Sequence, residues 1–235
     1  MMSQASTQAE LQPLLTSIAE LPHEGRGPAL MAISARGGEG AARFIRALAF
    51  ALWEKGRAAT VAIDLDVMRN GLKQAFEADN TLGEAREAQF HGQSYLQLTA
   101  KHGAALPAAQ HPITFRRVGF SRILVADFDA AWAAPGARVE ISQAPDYWRA
   151  ARAHAAFTLC AAPPASLSRG GLHAAPHMDG VILVVSATDA KAEETLSLKR
   201  KLDAAGARVL GLAFVEADPA ITRVERALGR IGQAA

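Results

Sequence analysis

The chain has 235 residues, with 25 Lys and Arg against 23 Asp and Glu, and a single Cys. One Cys excludes an internal disulfide framework and a Cys-based zinc cluster, a net charge of +2 argues against a nucleic-acid partner, and a 50% hydrophobic content excludes a disordered chain. Alanine makes up the apolar excess: there are 52 Ala against only 6% aromatic residues, and Arg outnumbers Lys 19 to six.

In chain order, residues 1–8 are small and polar and read as a frayed terminus. Leu11, Leu14, Leu15 and Ile18 recur at helical spacing over Glu10–Leu21, with Pro13 limiting the first turn, and Pro22–Pro28 reads as a loop. Ala29–Ser34 is an apolar strand that runs into Arg36-Gly37-Gly38-Glu39-Gly40. The spacing of Phe44, Leu48, Ala51 and Leu52 predicts a helix over Ala41–Lys55, closed by Gly56. Ala59–Leu65 is a second buried strand, so the unit is β-turn-α-β. Thr81–Pro112 has weak periodicity and reads as helix and loop.

The second half continues with a strand at Arg122–Ala126 before Asp127, a helix at Asp146–Ala156 and a strand at Phe157–Ala162 ending in Pro163-Pro164. A strand at Gly180–Ser186, a helix at Lys191–Ala205, a strand at Val209–Val215 and a helix at Pro219–Ile231 follow. Alternation of strands and helices predicts an α/β fold, doubly wound, with a mostly parallel sheet and helices on both faces. The expected organisation is an N-terminal helix and loop over 1–28 and a single α/β domain over 29–235. The longest apolar runs, Phe44–Trp53 and Val181–Ala187, fall short of the ~20 residues of a spanning helix, and no secretory signal pattern is seen. A cytoplasmic location is expected, with Cys160 a reduced, buried thiol.

A glycine-rich turn between a strand and a helix is suited to phosphate, because its N–H groups converge at a helix N-terminus. Gly37, Gly38 and Gly40 meet the steric need. A working phosphate loop also needs a Lys for the terminal phosphates and a Ser or Thr for magnesium directly after its last Gly. Those two positions hold Ala41 and Ala42.

Ser34-Ala35-Arg36-Gly37-Gly38-Glu39-Gly40-Ala41-Ala42, then Ala62-Ile63-Asp64-Leu65-Asp66, Thr158-Leu159-Cys160-Ala161-Ala162-Pro163-Pro164, Asp179–Val185 and Gly206–Val215 together resemble the MinD/ParA-type deviant P-loop ATPases. Within them the chain is most similar to the bacterial tyrosine-kinase (BY-kinase) cytoplasmic domains of capsule and exopolysaccharide export. The resemblance implies a P-loop NTPase-like fold. It also implies partnership with a membrane polysaccharide co-polymerase (chain-length regulator) or an active relative, with a homodimer as a further possible assembly. The location would then be cytoplasmic, or peripheral at the inner membrane through a partner.

The departures from the family pattern are at its catalytic positions. Ala41 and Ala42 replace the Lys and Ser/Thr, Ala161 replaces the second acidic motif, and Val215 stands where an adenine-reading Asn is usual. Of the polar catalytic positions only Asp64 and Asp66 survive. Phosphoryl transfer depends almost wholly on positioning and charge neutralisation, so these losses imply a pseudo-tyrosine-kinase without turnover. Residual, weak ATP or ADP binding at Arg36, Gly37, Gly38, Glu39, Gly40 and Arg43 is the cofactor expectation, and no metal site is expected. Two alternatives stay open: an active ATPase or tyrosine kinase in which Arg36 or Arg43 replaces the lysine, and a MinD/ParA-like localisation module.

The C-terminal tyrosine cluster of BY-kinases has no counterpart, since Tyr95 and Tyr147 are both internal, and Ala9–Ser17 lacks the arginines of the ring-forming helix. Asp64 and Asp66 lie on one side of a strand end, where they either face a metal or cap the strand and pair with Arg69. His173 and His177 are separated by Pro176 and do not form a helical metal pair. Ile221, Val224, Leu228 and Ile231 with interleaved Arg suggest an amphipathic last helix that covers the sheet or lies on an anionic membrane.

Overall fold

The computed structural model describes residues 4–21, 27–37, 40–67, 69–78, 82–87, 96–99, 113–129, 138–141, 145–186, 191–215 and 222–225. Among them, buried five-residue strands β1 (Ala29–Ile33) and β2 (Thr60–Asp64) flank helix α2 (Gly40–Gly56), as the apolar pattern predicts. Three further parallel strands fall where expected, at β8 (Phe157–Ala161), β9 (Gly180–Ser186) and β10 (Val209–Val215). The two short helices α3 (Gly71–Glu77) and α5 (Gly170–Ala174) escaped the sequence reading because each spans too few residues to show a period. Helices α4 (Pro145–His154) and α6 (Ala192–Ala204) are the expected ones, shifted by a residue or two.

β6 (Ile123–Phe128) pairs in parallel with β2 and extends the core to β10-β9-β1-β8-β2-β6. β2 pairs in parallel with β8, β8 with β1, β1 with β9 and β9 with β10. Antiparallel strands close both sides: β5 (Ile113–Val118) and β3 (Leu82–Glu87) beyond β6, and β11 (Thr222–Glu225) beyond β10. Among the described residues the sheet therefore has nine strands, and β4 (Leu96–Thr99) pairs separately with β7 (Arg138–Ile141). The doubly wound, mostly parallel architecture holds.

Strand alternation sorts the buried side chains into two layers. Leu30, Ala32, Leu159 and Val184 pack with Leu11, Ile18, Phe44, Leu48 and Phe76, so α1 (Gln4–Ala19), α2 and α3 cover one face. Met31, Ile33, Cys160 and Leu183 pack with Tyr147, Trp148, Leu198 and Leu202, so α4 and α6 cover the other. Cys160 is a buried free thiol, as expected.

Four expectations are corrected. Helix α1 starts at Gln4, well before the frayed terminus was expected to end, and carries Pro13 in its interior. Within the Thr81–Pro112 stretch, residues 82–87 and 96–99 are strands β3 and β4 where helix and loop were expected, since such strands need no continuous apolar face, and the remaining positions lie outside the described residues. Within the expected Pro219–Ile231 helix, Thr222–Glu225 is antiparallel to β10, since the β-branched Thr222 and Val224 suit an extended edge and β10 offers a free ladder. That expectation's remaining positions, 219–221 and 226–231, lie outside the described residues. Finally, Gly56 stays helical and Arg57 takes the left-handed turn (φ +51°), with its guanidinium 4.8 Å above the Trp53 ring.

Candidate functional site

β1 ends between β8 and β9, neither its neighbour in sequence, so the chain leaves in opposite directions from this point. In open α/β sheets such a switch point opens a crevice at the carboxyl ends of the strands. The glycine-rich turn lies there. Its incoming limb is held by backbone: Ala162 N–H donates to Ala32 O at 2.9 Å, Ala165 N–H to Ser34 O at 2.9 Å and Ser166 N–H to Ala35 O at 3.1 Å. Gly171 lets α5 close on β1 and on the residue before Pro163-Pro164, since a Cβ there would stand 2.6 Å from Ile33 Cδ1 and 2.9 Å from Ala162 Cβ. Gly37 takes a left-handed φ of +86° with open space around it, which only glycine adopts freely. Gly40 starts α2 against β9, where a Cβ would meet Val184 Cγ1 at 3.1 Å. Gly38 and Glu39, both expected in the cradle, lie outside the described residues.

The helix N-terminus carries no acidic residue in its first turn, leaving its partial positive charge for an anion. The side chains tell against a strong phosphate site. Ala41 (4% exposed), Ala42 (7%) and Ala161 (2%) are buried together in the layer containing Leu30, Phe44 and Val184. Where the motif needs a cation, a hydroxyl and a carboxylate, the fold has methyl groups in an apolar layer.

Four cations of this edge, Arg36, Arg69, Lys73 and Arg116, are matched to carboxylates. Arg36 Nε lies 2.9 Å from Glu194 Oε2 at the start of α6, and Arg69 Nη1 lies 3.7 Å from Asp66 Oδ2. Asp127, at the end of β6, takes both Lys73 Nζ at 3.0 Å and Arg116 Nε at 2.7 Å. Arg43 is exposed in the first turns of α2. The Arg36–Glu194 and Lys73–Asp127–Arg116 contacts were not foreseen. The only sequence signal was Asp127 at the end of an apolar run, because the partners lie on elements far apart in the chain.

Asp64 and Asp66 are brought together, but Asp64 faces the backbone. Its Oδ1 accepts the Asp66 N–H at 2.8 Å and its Oδ2 accepts the Leu72 N–H at 2.7 Å, so one carboxylate ties the strand end to the first turn of α3. Burial pushes its pKa up to about 7, against the opposing pull of those two donors. Burial also raises Asp66, partly offset by Arg69. Asn70, just before α3, takes φ +49° and donates from Nδ2 to Phe128 O at 2.8 Å. No group of three or more His, Cys, Asp or Glu suited to a metal occurs among the described residues. His177 stacks on Trp148 with ring centroids 6.2 Å apart, and His173 lies on α5. A magnesium ion bound beside phosphate would draw on Asp64 and Asp66, but Ala41 and Ala42, the two positions after Gly40, offer it no hydroxyl.

No family model matches the chain, and no curated protein matches it. Solved structures do. The kinase domain of the Escherichia coli tyrosine kinase ETK aligns over 90% of this chain and 76% of its own, with TM-score 0.59 and 17% identity. The VpsO kinase domain aligns over 89% and 93%, with TM-score 0.54 and 16% identity. The septum site-determining protein MinD of Pyrococcus horikoshii, complexed with Mg-ADP, aligns over 79% and 69%, with TM-score 0.55 and 18% identity. The chain therefore has the P-loop NTPase-like fold shared by BY-kinase domains and MinD ATPases, in agreement with the motif order read from the sequence.

Proposed function

We propose that this chain is a catalytically inactive, BY-kinase-like protein that works as a binding module in bacterial exopolysaccharide or capsule biosynthesis and export. The observation that carries the proposal is the burial of Ala41, Ala42 and Ala161 in one apolar layer of an otherwise intact fold. Without the Lys, and without the hydroxyl and second carboxylate that would hold magnesium, the described loop lacks the groups that usually neutralise charge on a transferring phosphoryl, each worth ~10²-fold in rate. The pairing of Arg36 with Glu194 supports the reading against relocated catalysis by that arginine. The proposed partners are the cytoplasmic tails of a membrane polysaccharide co-polymerase or an active relative, with a homodimer as a further assembly. They would place the protein at the inner membrane. No described helix is long and apolar enough to cross a membrane. ATP or ADP, if bound, rests on the Gly37–Gly40 turn without turnover.

Calorimetric titration with ATP, with and without magnesium, tests this together with a hydrolysis assay at high protein concentration. Binding weaker than micromolar, indifferent to magnesium, and no hydrolysis are expected. Magnesium-dependent micromolar binding with turnover lost in Asp64→Ala overturns it. The likeness to MinD favours a second reading, a localisation module, which co-purification with division or partition machinery instead of export proteins would support.

A further inference from the structure

The edge of the sheet opposite the glycine-rich turn carries a feature that the nucleotide fold does not use. β5 and β6 are joined by Gly119–Arg122, and Phe120 at its apex is 99% exposed. The loop is firmly built. Ser121 is buried, with its N–H donating to Val118 O at 3.0 Å, its Oγ donating to Val118 O at 2.6 Å and accepting from Ile123 N–H at 3.1 Å. Arg117 crosses underneath, donating from Nε to Ser121 O at 2.7 Å and from Nη2 to Phe120 O at 3.3 Å. Gly119 turns the chain at φ +47°. A tip so braced does not fold its aromatic side chain back onto the body.

Cations surround the tip. Arg117 and Arg122 are exposed on the hairpin itself. The Thr60 N–H donates to Arg122 O at 3.0 Å, which brings the end of α2 alongside, with exposed Lys55 and Arg57 and half-buried Trp53. Glu54 on α2 and Glu84 on β3 are exposed carboxylates of the elements next to the tip, against the four cations Lys55, Arg57, Arg117 and Arg122.

We propose that this edge docks directly on an anionic bilayer surface, with Phe120 entering below the headgroups and Arg57, Arg117 and Arg122 at the level of the lipid phosphates. The arrangement follows the depth order of a membrane: an apolar apex in front, guanidinium groups set back from it. Anionic lipid attracts juxtamembrane cations, and an inserted aromatic adds the apolar contribution that lone surface charge lacks. A lone convex aromatic suits a deformable headgroup layer better than an acidic protein surface, where an anchor gains from a preformed pocket. Docking this way leaves the Gly37–Gly40 edge facing away from the bilayer, open to other molecules. The proposal does not depend on the nucleotide reading.

Vesicle sedimentation of the full chain tests it. Binding is expected to vesicles of equimolar phosphatidylglycerol and phosphatidylcholine at physiological ionic strength, not to phosphatidylcholine alone, with release at high salt. Phe120→Ser and Arg122→Glu are each expected to reduce partitioning roughly tenfold with unchanged circular dichroism and melting, since both side chains are exposed. In Phe120→Trp, lipids brominated near the headgroup should quench emission beyond the wild-type level. Absence of binding to anionic vesicles, or binding undiminished in both variants, overturns the proposal, as does equal binding to both vesicle types. Binding without added quenching in Phe120→Trp overturns insertion of the tip.

Discussion

Replacing Asp64 by Asn separates a structural carboxylate from a chemical one, because the two roles differ in pH dependence. In the folded chain burial lifts Asp64 from an ordinary 3.8 to about 7. A shift of roughly three units corresponds to ~4 kcal/mol. The folded state holds this proton more tightly than the unfolded chain. The stabilisation is therefore complete below the ordinary carboxylate range and is lost as pH rises through about 7. From about pH 5 to about pH 8 the loss attributable to Asp64 is about 3 kcal/mol. Asn cannot titrate; its amide group opposes one of the N–H donors of Asp66 and Leu72, a pH-independent cost of about 1–2 kcal/mol. Urea unfolding of both proteins across this range should show the wild-type advantage shrinking by about 3 kcal/mol and reversing sign at the alkaline end. A free-energy difference that stays constant with pH would refute the argument that burial outweighs the two backbone donors.

Four further outcomes are expected. Ala41→Lys with Ala42→Thr should tighten ATP binding by at least tenfold in calorimetry, at a cost of about 1–3 kcal/mol from filling a packed layer; no gain would mean that the turn is not a phosphate cradle. Glu194→Gln releases Arg36 and should raise affinity for inorganic pyrophosphate several-fold at low salt, while changing stability by less than about 1 kcal/mol because the pair is largely exposed. Asp179→Ala removes the acceptor of the Ala29 N–H and the partner of the Arg152 guanidinium, and denaturant titration should show a loss of about 2 kcal/mol after allowance for partial exposure. Gly171→Ala should cost about 1–3 kcal/mol, because the new methyl meets Ile33 and Ala162 in the core, whereas Gly71→Ala should cost less, because its nearest neighbour would be Ala42 Cβ at 3.8 Å. Equal losses would contradict the packing described.

The two alanines after the glycine-rich turn show how much of the site was legible in advance. Their identity already removed the lysine and hydroxyl, and spacing from Gly40 alone placed them. Their burial alongside Ala161 was not legible, since Ala161 is far away in the chain and meets them only because β8 lies beside β1. Asp64 was legible as a strand-end carboxylate, but its choice between metal and backbone was settled by α3, a helix too short to leave a periodic trace. The Arg36–Glu194 pair joins the first and last thirds of the chain, and local pattern has no access to such a contact.

The sequence by itself determined the buried parallel core. β1, α2, β2, β8, β9, α6 and β10 are long, apolar runs or faces with clear stops, and burial on both sides of a sheet leaves little freedom in how they fold. Tertiary structure alone decided the edges and the charges. β3, β5 and β11 are strands because a neighbouring ladder offers them partners, which is why the 222–225 segment is extended despite helical spacing around it. Which cation meets which carboxylate, and which aromatic is left on the outside, depends on side chains brought together only when the sheet closes in the order β10-β9-β1-β8-β2-β6.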